Sequence, residues 1–237
     1  MAIGEIGIFV VETHSGEVLV NGALIFDFDG LILDTETPEM RIWQRLFAQA
    51  GGKFDIRRYQ AIIGTYGSQI YQPAQELAHL LDHGTTPEEL WELVQAKSIE
   101  VINQEPALPG VVELIAKAKK VGLSLGVGSS SPWDWVHSHL QRLNLLSQFD
   151  TIVTIDDVHA SKPEPDIFLK VLENLTVPAG RALVLEDSYN GILAAQRAGI
   201  RAVAVPNPVT LDQDFSVAEE VLPSLSSLQL EKYFSLP

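Results

Sequence analysis

The sequence predicts a doubly wound α/β protein: a parallel sheet with helices on both faces and a helical domain inserted after the first strand. Three observations carry this expectation. The run Ala23-Leu24-Ile25-Phe26 shows no polar alternation and stops at Asp27-Phe28-Asp29-Gly30, the pattern of a strand buried on both faces. Short apolar runs recur at Leu123 to Val127, Thr151 to Ile155, Leu183 to Leu185 and Ala202 to Val205, each separated from the next by a helix-length segment, so strand and helix alternate. From Thr35 to Ala107 the rhythm breaks, and about 70 residues pass without a strand-like apolar run.

Residues 1–22 precede the first strand. Within them Ile6 to Glu12 and Glu17 to Val20 flank Thr13-His14-Ser15-Gly16 in a pattern suited to a β-hairpin, and equally to a loosely attached extension. Residues 23–34 supply the first strand and its acidic tip, and the same α/β core resumes over 108–237. Between them, 35–107 read as a small helical domain. Met40, Trp43, Phe47 and Ala50 fall on one helical face, and Thr86-Pro87-Glu88-Glu89 is a capping-box start for a helix reaching about Asn103. Gly51-Gly52 and Gly64 to Gly67 are its flexible points, and Glu105-Pro106-Ala107-Leu108-Pro109-Gly110 is a stiff return into the core. Core helices are predicted over Val111 to Lys120, closed by Gly122, from Pro132 to Leu146 behind Ser131, and over Ile192 to Ala198, closed by Gly199.

Composition narrows the function classes. The chain has 237 residues, 46% of them hydrophobic, and sixteen Lys and Arg stand against thirty-one Asp and Glu, a formal charge of −15. A field of that sign repels polyanions, so nucleic acid is not an expected partner. Cysteine is absent, which removes disulfides, thiolate metal sites and cysteine nucleophiles together. No stretch approaches the roughly 18 uncharged apolar residues of a membrane span, and Met1 to Val11 carries Glu5 with no basic residue before an apolar run. A cytoplasmic monomer without a membrane partner is expected.

In an open parallel sheet ligands sit beyond the carboxyl ends of the strands, so chemistry is sought in the residues that follow each strand. The first strand delivers Asp27 and Asp29, and the second delivers Ser129 and Ser130 within Gly128-Ser129-Ser130-Ser131. The loop after the third holds Lys162 before Pro163, and the fourth delivers Glu186-Asp187. Each has a plainer reading alone: a turn and cap, an N-cap, a surface lysine, a polar strand end. Their occurrence in order at four successive strand ends favours a site. Carboxylates converging there repel unless a cation lies among them, and hard oxygen ligands suit Mg²⁺, with Asp27, Asp187 and Glu186 as candidates. Because Mg²⁺ takes few protein carboxylates and completes its shell with phosphate oxygens and water, a phosphate ester is the expected guest, with Lys162, Ser129 and the amides opening the Pro132 helix on the positive side. In Asp27-x-Asp29 one carboxylate can attack while the other moves protons.

The stretch Asp27-Phe28-Asp29-Gly30-Leu31-Ile32-Leu33-Asp34-Thr35-Glu36, with Ser129, Lys162-Pro163 and Leu185-Glu186-Asp187-Ser188, resembles the four motifs of the haloacid dehalogenase-like superfamily. The insert resembles the helical cap of its β-phosphoglucomutase-like, phosphatase-rich branch, and the sheet its Rossmann-like core. The resemblance implies a Mg²⁺-dependent phosphatase acting on a small phosphorylated metabolite, with Asp27 as nucleophile and Asp29 as general acid and base. It also implies that Ser129 and Lys162 hold the phosphoryl group, and that Asp27, the Asp29 backbone carbonyl, Asp187 and Glu186 hold the metal. Thr35, Glu36, Gly64 and Thr65 are candidates for choosing the substrate. Arg57 and Arg58 read as exposed helix charges, and Trp133 and Trp135 as packing residues.

Three other readings stand beside this one. Sugar phosphomutases of the branch usually carry a His where this chain has Glu39, which disfavours that activity. A phosphoaccepting receiver module joins similar residues around Mg²⁺ in a much shorter chain without an insert. Gly126-x-Gly128 opens a dinucleotide fingerprint, but Ser131 stands where its third glycine belongs. His137 and His139 lie two apart on a helix, so they do not face one another and make no metal pair.

Overall fold

The computed structural model describes residues 11–12, 18–19, 22–68, 70–81 and 84–236. Two short strands, β1 (Val11–Glu12) and β2 (Val18–Leu19), pair antiparallel; the tip between them lies outside the described residues. The main sheet follows the order β5-β4-β3-β6-β7-β8, built from β3 (Ala23–Phe26), β4 (Ser124–Gly128), β5 (Thr151–Val153), β6 (Ala182–Glu186), β7 (Arg201–Ala204) and β8 (Glu220–Val221). Every neighbouring pair is parallel. Phe26 lies opposite both Val127 and Leu185, so Asp27, Gly128 and Glu186 leave the sheet at one level.

Alternation along the strands divides the interior into two apolar layers. Leu24 and Phe26, with Leu125, Val127, Leu183 and Leu185, face α5 (Val111–Lys120) and α6 (Trp133–Arg142). Ala23 and Ile25, with Ala182, Val184, Ala202 and Ala204, face α7 (Asp166–Leu175) and α8 (Tyr189–Arg197). Helices on both faces make the fold doubly wound, as the alternating runs predict.

Between β3 and α5 stand α1 (Glu36–Gln49), α2 (Ile56–Gln60), α3 (Pro73–Leu81) and α4 (Pro87–Ile102). They share an apolar core of their own in which Met40, Trp43 and Phe47 of α1 meet Leu77, Leu90 and Val94. The predicted capping box is present: Thr86 Oγ1 accepts from the Glu89 amide, and Glu89 accepts from the Thr86 amide. One residue from outside the insert, Val209, completes this core and is fully buried in it.

Several boundaries differ from expectation. The helix expected to run to Leu146 stops at Arg142, because Asn144 turns left-handed at φ 59° and a separate 3₁₀ turn follows at 146–148. α8 begins three residues early, since Ser188 Oγ accepts from the Gly191 amide and starts it. β8 and the tail beyond it had no strong sequence signal, yet Leu225, Leu228, Leu230, Tyr233 and Phe234 of that tail cover one layer of the core. No helix among the described residues is long and apolar enough to cross a membrane.

Candidate active site

The loop after β3 is the first part of the site. The Phe28 carbonyl accepts from the amides of Leu31, Ile32 and Leu33, and the Gly30 amide donates to Leu33, so the chain turns back within one tight loop. Leu31, Ile32 and Leu33 sink into the core while Asp27 and Asp29 stay at the sheet edge. Gly30 adopts φ +75°, and a Cβ there would stand 2.4 Å from Asn207 Nδ2 and 2.6 Å from Asp187 Oδ2. Only glycine lets the loop pass this close to the neighbouring strand tips.

Asp27, Glu186 and Asp187 are buried, and one oxygen from each lies within 4.8 Å of the others. Lys162 is buried with them. Its ammonium donates to Asp27 Oδ1 at 2.5 Å and Glu186 Oε1 at 2.6 Å. Burial alone pulls the Lys162 ammonium down, but Asp27 and Glu186 more than reverse this, so it holds its proton more firmly than a free lysine. Asp27 is pushed up to about 8, by burial first and then by Glu186, against the pull of Lys162. Asp187 is also raised, by burial and then by Glu36 and Glu186. One lysine therefore does not compensate the acids gathered here.

Two further side chains close the cluster. The Asn207 amide donates to Asp187 Oδ2 at 2.8 Å and to Glu36 Oε2 at 2.7 Å, and its own oxygen accepts from the amides of Val209 and Thr210. Burial raises Glu36, with the Asn207 hydrogen bond opposing. Glu36, expected among substrate-choosing residues, is thus packed against Asp187 on the acidic side of the site. Asn207 is absent from the sequence expectations although it follows the apolar run ending at Val205, where the same strand-end rule applies.

Asp29 faces a different set of groups. Its Oδ1 accepts from Thr35 Oγ1 at 2.9 Å and Trp135 Nε1 at 2.8 Å; its Oδ2 accepts from Ser131 Oγ at 2.6 Å and Ser129 Oγ at 3.3 Å. The Asp29 carboxylate is not among the three acids that could share an ion, so only its backbone carbonyl could serve a metal. Ser131 does not cap α6; its hydroxyl is spent on Asp29. Trp135, expected to be a packing residue, carries a polar contact to the site.

The insert reaches the rim through its 60–66 loop. Ser130 Oγ donates to the Gly64 carbonyl at 2.8 Å, and the Asn190 amide donates to the carbonyls of Ala61 and Ile63. Gln60 donates to the Val209 carbonyl and accepts, through its own carbonyl, from Gln213. Thr65 turns its hydroxyl back to the Ile62 carbonyl, and Arg57 and Arg58 are exposed, Arg58 pairing with Glu76. One turn along α1 from Glu36, Glu39 accepts from Trp43, Tyr59 and Gln95.

An acid-rich, lysine-bearing rim at the carboxyl edge of a parallel sheet, roofed by a helical insert, defines an α/β enzyme of the doubly wound class. Residues 24–205 match the family model described as haloacid dehalogenase-like hydrolase, and the chain belongs to that family. YhcW of Bacillus subtilis is 38% identical over 208 residues, 88% of this chain and 94% of that protein. Hexitol phosphatase B of Escherichia coli K12 is 33% identical over 211 residues, 87% and 93% of the two chains. The crystal structure of CbbY from Rhodobacter sphaeroides in complex with phosphate aligns with a TM-score of 0.67 at 28% identity, covering 89% of this chain and 96% of that one.

Proposed function

We propose that this enzyme is a Mg²⁺-dependent phosphatase that hydrolyses small soluble phosphomonoesters, sugar phosphates or nucleoside monophosphates, through an aspartyl-phosphate on Asp27. The observation that carries the reading is the division of labour between the two acids of the first loop. Asp27 sits with Lys162, Glu186 and Asp187, and Asp29 sits two residues on among four hydrogen-bond donors. A phosphatase among the relatives and a bound phosphate in a structural neighbour support the same chemistry.

The donor set fits Mg²⁺. Three buried carboxylates offer oxygen ligands at mutual reach, two of them are raised by burial and then by the neighbouring acids, and no thiolate exists in the chain to favour a softer metal. Asp27, Glu186, Asp187 and the Asp29 carbonyl would hold it, and when bound it supplies positive charge to the phosphoryl oxygens.

Asp27 then attacks phosphorus with one carboxylate oxygen, while Lys162, gripped by Asp27 and Glu186, neutralises charge on the transferring oxygens. Asp29 gives a proton to the departing alkoxide and takes one from the water that later cleaves the aspartyl-phosphate. Residues 35–107 act as a cap: closing over the rim excludes bulk water and presents its inner face to the leaving group.

Release of inorganic phosphate across a panel of phosphorylated metabolites tests this. Turnover with Mg²⁺, lost on chelation and in Asp27→Asn, is expected. A long-lived phospho-Asp27 with no turnover of any panel member would overturn it in favour of a phosphoaccepting signalling role.

A further inference from the structure

We propose that Trp135 is a positioning residue for Asp29: its indole N–H, donating to Oδ1, fixes the orientation of the carboxylate that exchanges a proton with the leaving group. This rests on the acid and base role assigned to Asp29 above.

Of the four donors around Asp29, three are hydroxyls that can rotate and can equally accept. The indole can only donate, along one fixed direction. Oδ1 also accepts from Thr35 Oγ1, so the indole is the one partner of that oxygen whose direction is set by a rigid ring. Oδ2, the other oxygen of the carboxylate, accepts from Ser129 and Ser131. Their loop follows β4, whose end lies level with Asp27 at the carboxyl edge of the sheet.

The indole is itself held firmly. Its ring meets His139 edge-on at 4.4 Å, and His139 stacks on Phe28 at 6.2 Å. Trp135 and His139 are one turn apart on α6, and Phe28 is the residue between the two acids. One helix face thus grips Asp29 twice, by its carboxylate and by the side chain of its chain neighbour. Burial and then Arg142 lower the His139 imidazole from its ordinary value, against the pull of Asp29.

In the step concerned, the bond from Asp27 oxygen to phosphorus forms and the bond from phosphorus to the leaving oxygen breaks. The departing electron pair takes the proton from Asp29, and water returns one when the aspartyl-phosphate is cleaved. An alkoxide needs that proton, whereas p-nitrophenolate leaves without it.

The test is the ratio of kcat/KM on the best sugar phosphate to kcat/KM on p-nitrophenyl phosphate. In Trp135→Phe this ratio is expected to fall about tenfold or more, with the Mg²⁺-induced rise in Tm retained. Should Trp135→Phe fold poorly, 3-benzothienylalanine at position 135 keeps the bicyclic shape while exchanging the N–H for sulfur, and the same fall is expected. Asp29→Asn must depress the ratio as well; if it does not, the role of Asp29 itself is wrong. If Asp29→Asn depresses the ratio and both Trp135 variants leave it unmoved, the positioning role is overturned.

Discussion

Gly191 shows how closely single residues are specified around the acidic cluster. A Cβ at this position would lie 1.7 Å from Glu186 Oε1, inside the carboxylate that also accepts from Lys162 and from the amide and hydroxyl of Ser188. Gly191→Ala must push Glu186 off Lys162. Losing such a supporting contact typically costs 10- to 100-fold, so kcat should fall by about that factor and the Mg²⁺-induced Tm rise should shrink, with the far-UV circular dichroism unchanged. Lys162→Met leaves Asp27 and Glu186 buried without their cation, and urea unfolding at neutral pH without divalent ions should show a loss of about 3–5 kcal/mol. Legibility at this scale followed side-chain chemistry. Asp27, Glu186 and Asp187 were readable because charged residues at strand ends are conspicuous, and Lys162, in the loop beyond β5, only because it falls in order among them. The indole of Trp135 was not, because nothing local to it betrays a hydrogen bond to an acid 106 positions earlier.

At the scale of elements, the segment after β7 links the insert to the acids. Its Asn207 touches Glu36 and Asp187, and two residues later Val209 is buried among the apolar side chains of α1 to α4. Val209→Ala removes two methyl groups from that seam, about 1–2 kcal/mol. If only the closed arrangement binds substrate tightly, KM should rise roughly 5- to 30-fold while the melting temperature of the core changes little, as steady-state kinetics and calorimetry would show. The helices of the insert were legible from capping and from the 3.6-residue spacing of Met40, Trp43 and Phe47. Their docking was not, because the contacts at Ala61, Ile63 and Gly64 are made to main-chain carbonyls, which every residue possesses. β8 escaped notice for a related reason: two residues, one half-buried and one exposed, leave no apolar run.

For the whole molecule, the formal charge of −15 proved a poor guide to the site, where local burial matters more than the overall field. Freed of divalent ions, the protein carries Asp27 at about 8 against an ordinary 3.8, and Glu36 and Asp187 are displaced the same way. A group raised on folding stabilises the folded state fully below its unfolded value and loses that contribution as pH climbs through its folded one. The Tm of the chelated protein should therefore decline between about pH 4 and pH 8, and saturating Mg²⁺ should flatten that decline; a slope unaffected by Mg²⁺ in thermal melts would contradict the shared metal cluster. The grip of Ser130 and Asn190 on the carbonyls of residues 61, 63 and 64 has an evolutionary consequence. Because these bonds take main-chain carbonyls, exposed positions such as Ala61 and Tyr66 can exchange their side chains for a new leaving group without surrendering the hold, whereas Gly64, whose Cβ would stand 2.4 Å from Ser188 Oγ, cannot, so specificity can drift at a few points while the chemistry beneath is left alone.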